Sequence, residues 1–224
     1  MKTVKLFIKS LTGTLFFLSI LFISAGRLNY RQGWLYASIC IISIFLNSFA
    51  LKNKEELAAE RSGIRSGTKS WDKIILGLSA IILLMCYIVA GLDSGRFRWS
   101  AEFNPGISAI GVILILLGEV FFLMAQKQNK FFSSLMRIQT DRGHTVCDTG
   151  IYKIIRHPAY FGNIITAFGI PLVLESVWCF IPSAVSVLLI IIRTSLEDRA
   201  LINELDGYRE YTYKTRYRLL PFIW

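Results

Sequence analysis

The sequence predicts an all-α protein: a polytopic membrane helix bundle of about six spans, closing in a short C-terminal helical hairpin. Three observations predict it. The composition is apolar, the apolar residues fall into six separated runs, and basic residues alternate between the polar segments that join those runs. Hydrophobic residues make up 54% of the 224-residue chain and charged residues only 18%, with a mean hydropathy of +0.51. A soluble domain carries about 25% charged residues. The length suits one compact domain.

The apolar runs cover residues 7–25, 33–51, 74–92, 106–126, 159–174 and 177–192. A helix needs about 20 residues to cross a hydrocarbon core of about 30 Å, and the first four runs meet that length. The last two are shorter, about 24 Å each by helical rise, as expected either of spans that thin the bilayer locally or of a tight hairpin packed within the bundle. The N-terminal stretch has the basic start of a signal peptide and ends in small residues. Its apolar part, 11–25, is long and leads after a short polar break into a second run, so it is read as an uncleaved span.

Basic residues set the threading. Segments 1–6, 9, 52–73, 127–157 and 193–224 hold 21 of the 25 lysines and arginines, and the remaining four are Arg27, Arg31, Arg96 and Arg98. The positive-inside rule then predicts both termini in the cytoplasm, and a span count altered by one spoils the alternation. The net charge of +10 comes in short blocks between apolar runs. That pattern suggests anionic lipid headgroups as partners rather than nucleic acid. Cys40, Cys86, Cys147 and Cys179 are too far apart for a zinc site or a disulfide framework, and no metal-ligand spacing appears. They are read as small apolar residues. The organisation expected is an N-terminal four-span region, 1–126, followed by a chemically equipped region, 127–224.

Three polar segments face the cytoplasm in this threading. Segment 52–73 is read as a solvated interfacial loop. Segment 127–157 is long enough for function; it holds both histidines, His144 and His157, and is punctuated by Gly143 and Gly150. Segment 193–224 starts as a continuation of the last span, with Arg193 and Glu197 on one helix face and Gly207 as its expected end. A hairpin over the intervening residues returns Arg193 to the surface where His157 enters. His157, Tyr160, Arg193, Glu197 and Asp198 would converge there in a pocket. Each also has a plainer explanation. His157-Pro158 suits an ordinary helix start, Arg193 suits a snorkelling cation neutralised by Glu197, and Tyr208, Tyr211, Tyr213, Tyr217 and Trp224 suit an interfacial belt. Glu119, inside the fourth run, is a functional candidate by depth, though a packing or water-contacting role is favoured.

The run Gly143-His144-x-Val146, Gly150-x-Tyr152, Arg156-His157-Pro158-x-Tyr160-x-Gly162, with the later Arg193-x3-Glu197-Asp198 and the closing Arg218-Leu-Leu-Pro, resembles the isoprenylcysteine carboxyl methyltransferase family. Membrane phospholipid methyltransferases are its wider relatives. The likeness is strong over 127–224 and weaker upstream. It implies a cytoplasmic cofactor pocket for S-adenosyl-L-methionine, with Val146, Gly150, Tyr152, His157, Tyr160, Glu197 and Asp198 as its binding residues. The usual Glu-Glu pair is Glu197-Asp198 here, which puts the second carboxylate's contact in question. The resemblance further implies carboxyl O-methylation of a lipophilic or prenylated substrate. The residues themselves agree, for methyl transfer from a sulfonium needs in-line approach and exclusion of water, not a metal or a triad. An acceptor carboxylate is already ionised at pH 7 and needs only a positioning cation, for which Arg193 is the candidate. An amine acceptor, as in a phospholipid N-methyltransferase, would need Glu197 or His157 as a base. A six-span transporter or scaffold is the reading from another class, and the absence of repeat symmetry speaks against the transporter. The membrane expected is the cell membrane in a bacterium or the endoplasmic reticulum in a eukaryote.

Overall fold

A computed structural model describes residues 2–51, 55–61 and 66–224. Its described residues form helices, turns and one isolated parallel bridge, Ile155 to Tyr217. In chain order the α-helices are α1 (Lys2–Ala25), α2 (Arg31–Ala50), α3 (Glu55–Arg61), α4 (Ser70–Ala90), α5 (Pro105–Gln128), α6 (Pro158–Val173), α7 (Phe180–Glu204) and α8 (Tyr208–Lys214). A wider helical turn, Gly91–Phe97, continues α4.

Five helices, α1, α2, α4 with its continuation, α5 and α7, are long and apolar enough to cross a membrane. The sixth apolar run forms α6, which is only 16 residues long. Pro158 opens it, where a missing N–H costs nothing. Pro171 lies inside its last turn and cannot continue the hydrogen-bond ladder. Glu175 then takes a left-handed φ of +52°, and α7 begins. The protein is an integral, multi-pass membrane protein. Large apolar side chains such as Ile23, Phe49, Ile81 and Leu188 point outward, as a lipid solvent requires.

The short helix is held by α5. A Cβ on Gly118 would lie 2.5 Å from the carbonyl oxygen of Gly162, and one on Gly169 would lie 2.8 Å from that of Gly111. Two glycines seven residues apart on each helix thus let the backbones touch, the small-residue mode of membrane packing. This contact crosses the boundary expected at residue 126, since α5 runs on to Gln128.

The bundle has two cores. Leu18, Leu21, Tyr36, Tyr87, Ile115 and Val173 form the one among the spans, and Met136, Tyr152, Leu201, Leu205, Tyr208 and Tyr211 belong to the other, at the basic end. At the far end, buried Asp93 accepts from Ser100 N and Oγ at 2.7 Å and from Ser176 Oγ at 2.5 Å. These bonds pin the α6–α7 turn to α4, so the hairpin's open end is presented rigidly at the basic side.

Two expectations change. α7 ends at Glu204, not at Gly207; Leu205 is extended and buried, and Gly207, at φ +78°, turns the chain back into α8. Segment 52–73 is not simply a solvated loop. α3 buries Leu57, Ala58 and Ala59, and Asp72 on the first turn of α4 is fully buried. Residues 52–54 and 62–65 of that segment lie outside the described ones.

Candidate functional site

The site is built on a clasp. Arg156 and His157 donate backbone N–H groups to the carbonyls of Tyr217 and Arg218, each at 2.9 Å. The Arg156 side chain reaches back between them: Nε and Nη2 donate to Asp198 at 2.8 and 3.0 Å, and Nη1 donates to the carbonyls of Thr215 and Arg216 at 2.8 Å. Asp198 also receives Tyr208 OH at 3.0 Å and Arg218 Nε at 2.8 Å, and stands 3.2 Å from His157 Nε2. Its carboxylate is fully buried and saturated with donors, the condition under which a buried charge is tolerated. The clasp fastens the start of α6, the middle of α7 and the C-terminal segment into one unit.

In front of the clasp lies a cavity of about 280 Å³, near the lower end of the range for small-molecule sites. Tyr160 OH donates to Glu197 Oε2 at 2.6 Å, and the Tyr160 ring stacks on His157 with centroids 5.8 Å apart. Val146, Tyr152, Tyr208 and Tyr211 supply an apolar and aromatic wall. Tyr211 OH donates to the Tyr152 carbonyl at 2.6 Å. Burial pushes the Tyr152, Tyr208 and Tyr211 phenols above their usual range, so they remain O–H donors at neutral pH and not bases. His144 packs on Phe131 at 4.5 Å, and its Nδ1 accepts from Gln139 N at 3.2 Å. Burial, then the charges of Arg137 and Arg142, push it down to about 4. It is a neutral imidazole whose remaining proton sits on Nε2 by this hydrogen-bond pattern.

Arg193 borders the same cavity, its guanidinium 5.1 Å from the Tyr160 ring centre. It is not a free cation. Nε and Nη2 bind Asp72 at 2.7 and 3.2 Å, and Nη2 also donates to the Ser134 carbonyl at 2.9 Å. Asp72 is itself held by Met136 N at 2.7 Å. One carboxylate thereby joins α4, α7 and the loop after α5.

A second cavity, about 350 Å³, lies among α1, α2, α5 and α6. Its walls include Tyr36, Ile39, Ile115 and Thr166, with Glu119 accepting from Asn47. Arg61, Phe122 and Asn163 border both cavities.

The structure brings Val146, Tyr152, His157, Tyr160, Arg193 and Glu197 onto one cavity. The other two expected residues are not among its lining. Gly150 makes a left-handed turn at φ +54° against the Gln128 side chain, and Asp198 is spent on the clasp. The Asp198 carboxylate, expected as a cofactor contact, is fully buried and lines no part of the cavity. One helical step of 100° turns it away from the face that Glu197 presents. Sequence reasoning missed Asp72, hidden in a charge-rich segment, and the inward turn of Tyr208 and Tyr211 away from an interfacial belt.

Comparison with known proteins follows the same residues. The family model described as isoprenylcysteine carboxyl methyltransferase (ICMT) family matches residues 110–203. Protein-S-isoprenylcysteine O-methyltransferase B of Arabidopsis thaliana is 33% identical over 101 residues, 41% of this chain and 51% of that protein. A probable protein-S-isoprenylcysteine O-methyltransferase of Oryza sativa subsp. japonica is 28% identical over 139 residues, 62% of this chain and 68% of the relative. The chain thus spans about half the length of the Arabidopsis relative and about two thirds of the rice one. The solved structure of the eukaryotic intramembrane Ras methyltransferase, isoprenylcysteine carboxyl methyltransferase, superposes with a TM-score of 0.55 at 17% identity, covering 92% of this chain and 74% of that one; the likeness is one of fold. The family match thus runs over residues 110–203, from α5 to the last turns of α7, and over that stretch the chain is similar to the isoprenylcysteine carboxyl methyltransferase family.

Proposed function

We propose that the chain is a membrane-embedded, S-adenosylmethionine-dependent methyltransferase that esterifies the carboxylate of a lipophilic, prenylcysteine-like acceptor. The observation that carries this reading is the adjacency of two cavities: a polar, aromatic one at the basic end and another among the spans, meeting at Arg61, Phe122 and Asn163. With the basic end in the cytoplasm, a water-soluble donor reaches the first cavity and a lipophilic acceptor reaches the second from the bilayer. The names of the relatives support the acceptor class.

The residues present suit the donor. Glu197, fixed by Tyr160, is a carboxylate for its ammonium group. His144, neutral with an Nε2 proton, and His157 are the partners for its carboxylate. Val146, Tyr152 and the Tyr208–Tyr211 pair are the apolar wall for its adenosine. Gly150 and Asp198 act from behind by shaping that wall. Bound there, S-adenosylmethionine supplies a sulfonium methyl open to direct displacement. An ionised acceptor carboxylate needs no base, which suits a cavity whose tyrosines stay protonated. The chain's work is to align the two and to keep water out. Arg193, oriented by Asp72, is the cationic edge beside the reacting carboxylate.

Isothermal titration of S-adenosylmethionine into detergent-solubilised protein tests the donor site. Saturable binding is expected, weakened at least about tenfold in Glu197→Gln by loss of a charge-assisted bond. A folded wild-type protein that takes up no heat from the ligand overturns the reading.

A further inference from the structure

Four arginines, Arg61, Arg137, Arg156 and Arg193, border the cavity at the basic end. Three are bound to carboxylates: Arg137 to Glu60 and Asp141, Arg156 to Asp198, and Arg193 to Asp72. Arg61 has no carboxylate in ion-pair contact among the described residues. It ends α3 where the two cavities meet. Its guanidinium is flanked by the rings of Phe122 and Phe132, at 5.3 and 5.4 Å from their centres. Nη1 donates to Gln126 Oε1. This contact fixes the amide's orientation, and it leaves Arg61 Nε and Gln126 Nε2 both buried with no acceptor among the described residues. Gln126 is itself fully buried.

Neighbouring buried donors without acceptors are rare in folded proteins and call for an explanation. Here a cation and the amide bonded to it each keep an unmatched N–H group, and aromatic faces hold the cation in place. The group that satisfies such a pair is acceptor-only and negatively charged. A carboxylate fits both in charge and in the planar fork of a guanidinium. Burial pushes Arg61 down to about 10, opposed only by the charge of Glu119, as befits a cation still lacking its partner.

We propose that Arg61, braced from behind by Gln126, is the receptor for the acceptor's carboxylate at the junction of the two cavities. This rests on the methyltransferase reading and deepens it. The lipophilic chain lies in the cavity among the spans, its carboxylate is drawn to the junction by Arg61, and the reacting oxygen faces the cavity bordered by Glu197 and Tyr160. Arg193, largely neutralised by Asp72, contributes alignment more than affinity.

The test compares acetyl-blocked S-farnesylcysteine with its carboxamide by equilibrium binding, with methyl transfer to the former measured alongside. Wild type should prefer the carboxylate by about tenfold or more. Arg61→Gln should lose that preference while binding the carboxamide as wild type does, with affinity for S-adenosylmethionine unchanged. Arg61→Lys, which keeps the charge but not the fork, should retain part of it. Equal weakening of both compounds in Arg61→Gln would mean a packing role and overturn the inference, as would a preference untouched in either variant or absent from wild type. If wild type transfers methyl while Arg61→Gln keeps its preference, the inference falls and the methyltransferase reading stands. Preference without transfer leaves the inference standing and sinks the reading.

Discussion

Glu197 and Asp198 are neighbours in sequence and serve different ends, because one helical step separates their directions. Glu197 is partly open to the cavity and has one strong donor, Tyr160. Asp198 has four partners and no exposure. Their conservative variants should therefore part company. Asp198→Asn leaves Arg156 buried without its counter-charge, a change worth about 3–5 kcal/mol. It should appear as a lowered thermal midpoint in detergent, whereas Glu197→Gln should melt near wild type and fail in donor binding. Equal melting of the two would contradict the assignment. His144 gives a pH signature. Its folded value, about 4, lies below the ordinary histidine value of about 6.5, so the unfolded chain takes up a proton first. Stability contributed by neutral His144 is full above about pH 6.5 and declines as pH falls toward 4. Melting followed between pH 7.5 and 4.5 should show a smaller loss in His144→Gln than in wild type. The identities of His157, Tyr160 and Glu197 as neighbours were legible in the sequence, since a hairpin must return Arg193 to where His157 enters. Asp72 was not, because a carboxylate among lysines reads as solvated until a distant helix is known to meet it.

At the scale of elements, apolar runs located every long helix, but their ends followed other rules. The last span runs on as α7 to Glu204, since a helix leaving the bilayer needs no apolar sequence, only unbroken hydrogen bonds. α6 remained short because Pro171 and the left-handed Glu175 end it. The glycine seam between α5 and α6 could not be read without knowing which spans are neighbours. Its consequence is measurable. Gly118→Leu should drive the Gly162 backbone away and cost about 1–3 kcal/mol or more, read as a lower melting temperature and loss of donor binding. Gly77→Leu, where nothing stands within 4 Å, should be silent. Equal effects at both positions would show that the seam is not the constraint.

For the whole molecule, basic residues mark one end, and the cavity bordered by four arginines lies there. The Asp198 clasp sits at the basic end, while Asp93 and the serines at the other end lock the hairpin in place. In a background without the four native cysteines, Tyr213→Cys should react with a membrane-impermeant maleimide only in inverted vesicles, and Leu28→Cys only from outside; both positions are well exposed. Labelling of both from one side would refute the threading. Transfer of a methyl group to a lipid-borne carboxylate can be measured with radiolabelled S-adenosylmethionine and acetyl-blocked S-farnesylcysteine in reconstituted vesicles. Label should partition with the lipid, be released by mild base as methanol, and be abolished in Glu197→Gln. Label that resists base, or none at all from protein that binds the donor, would contradict it.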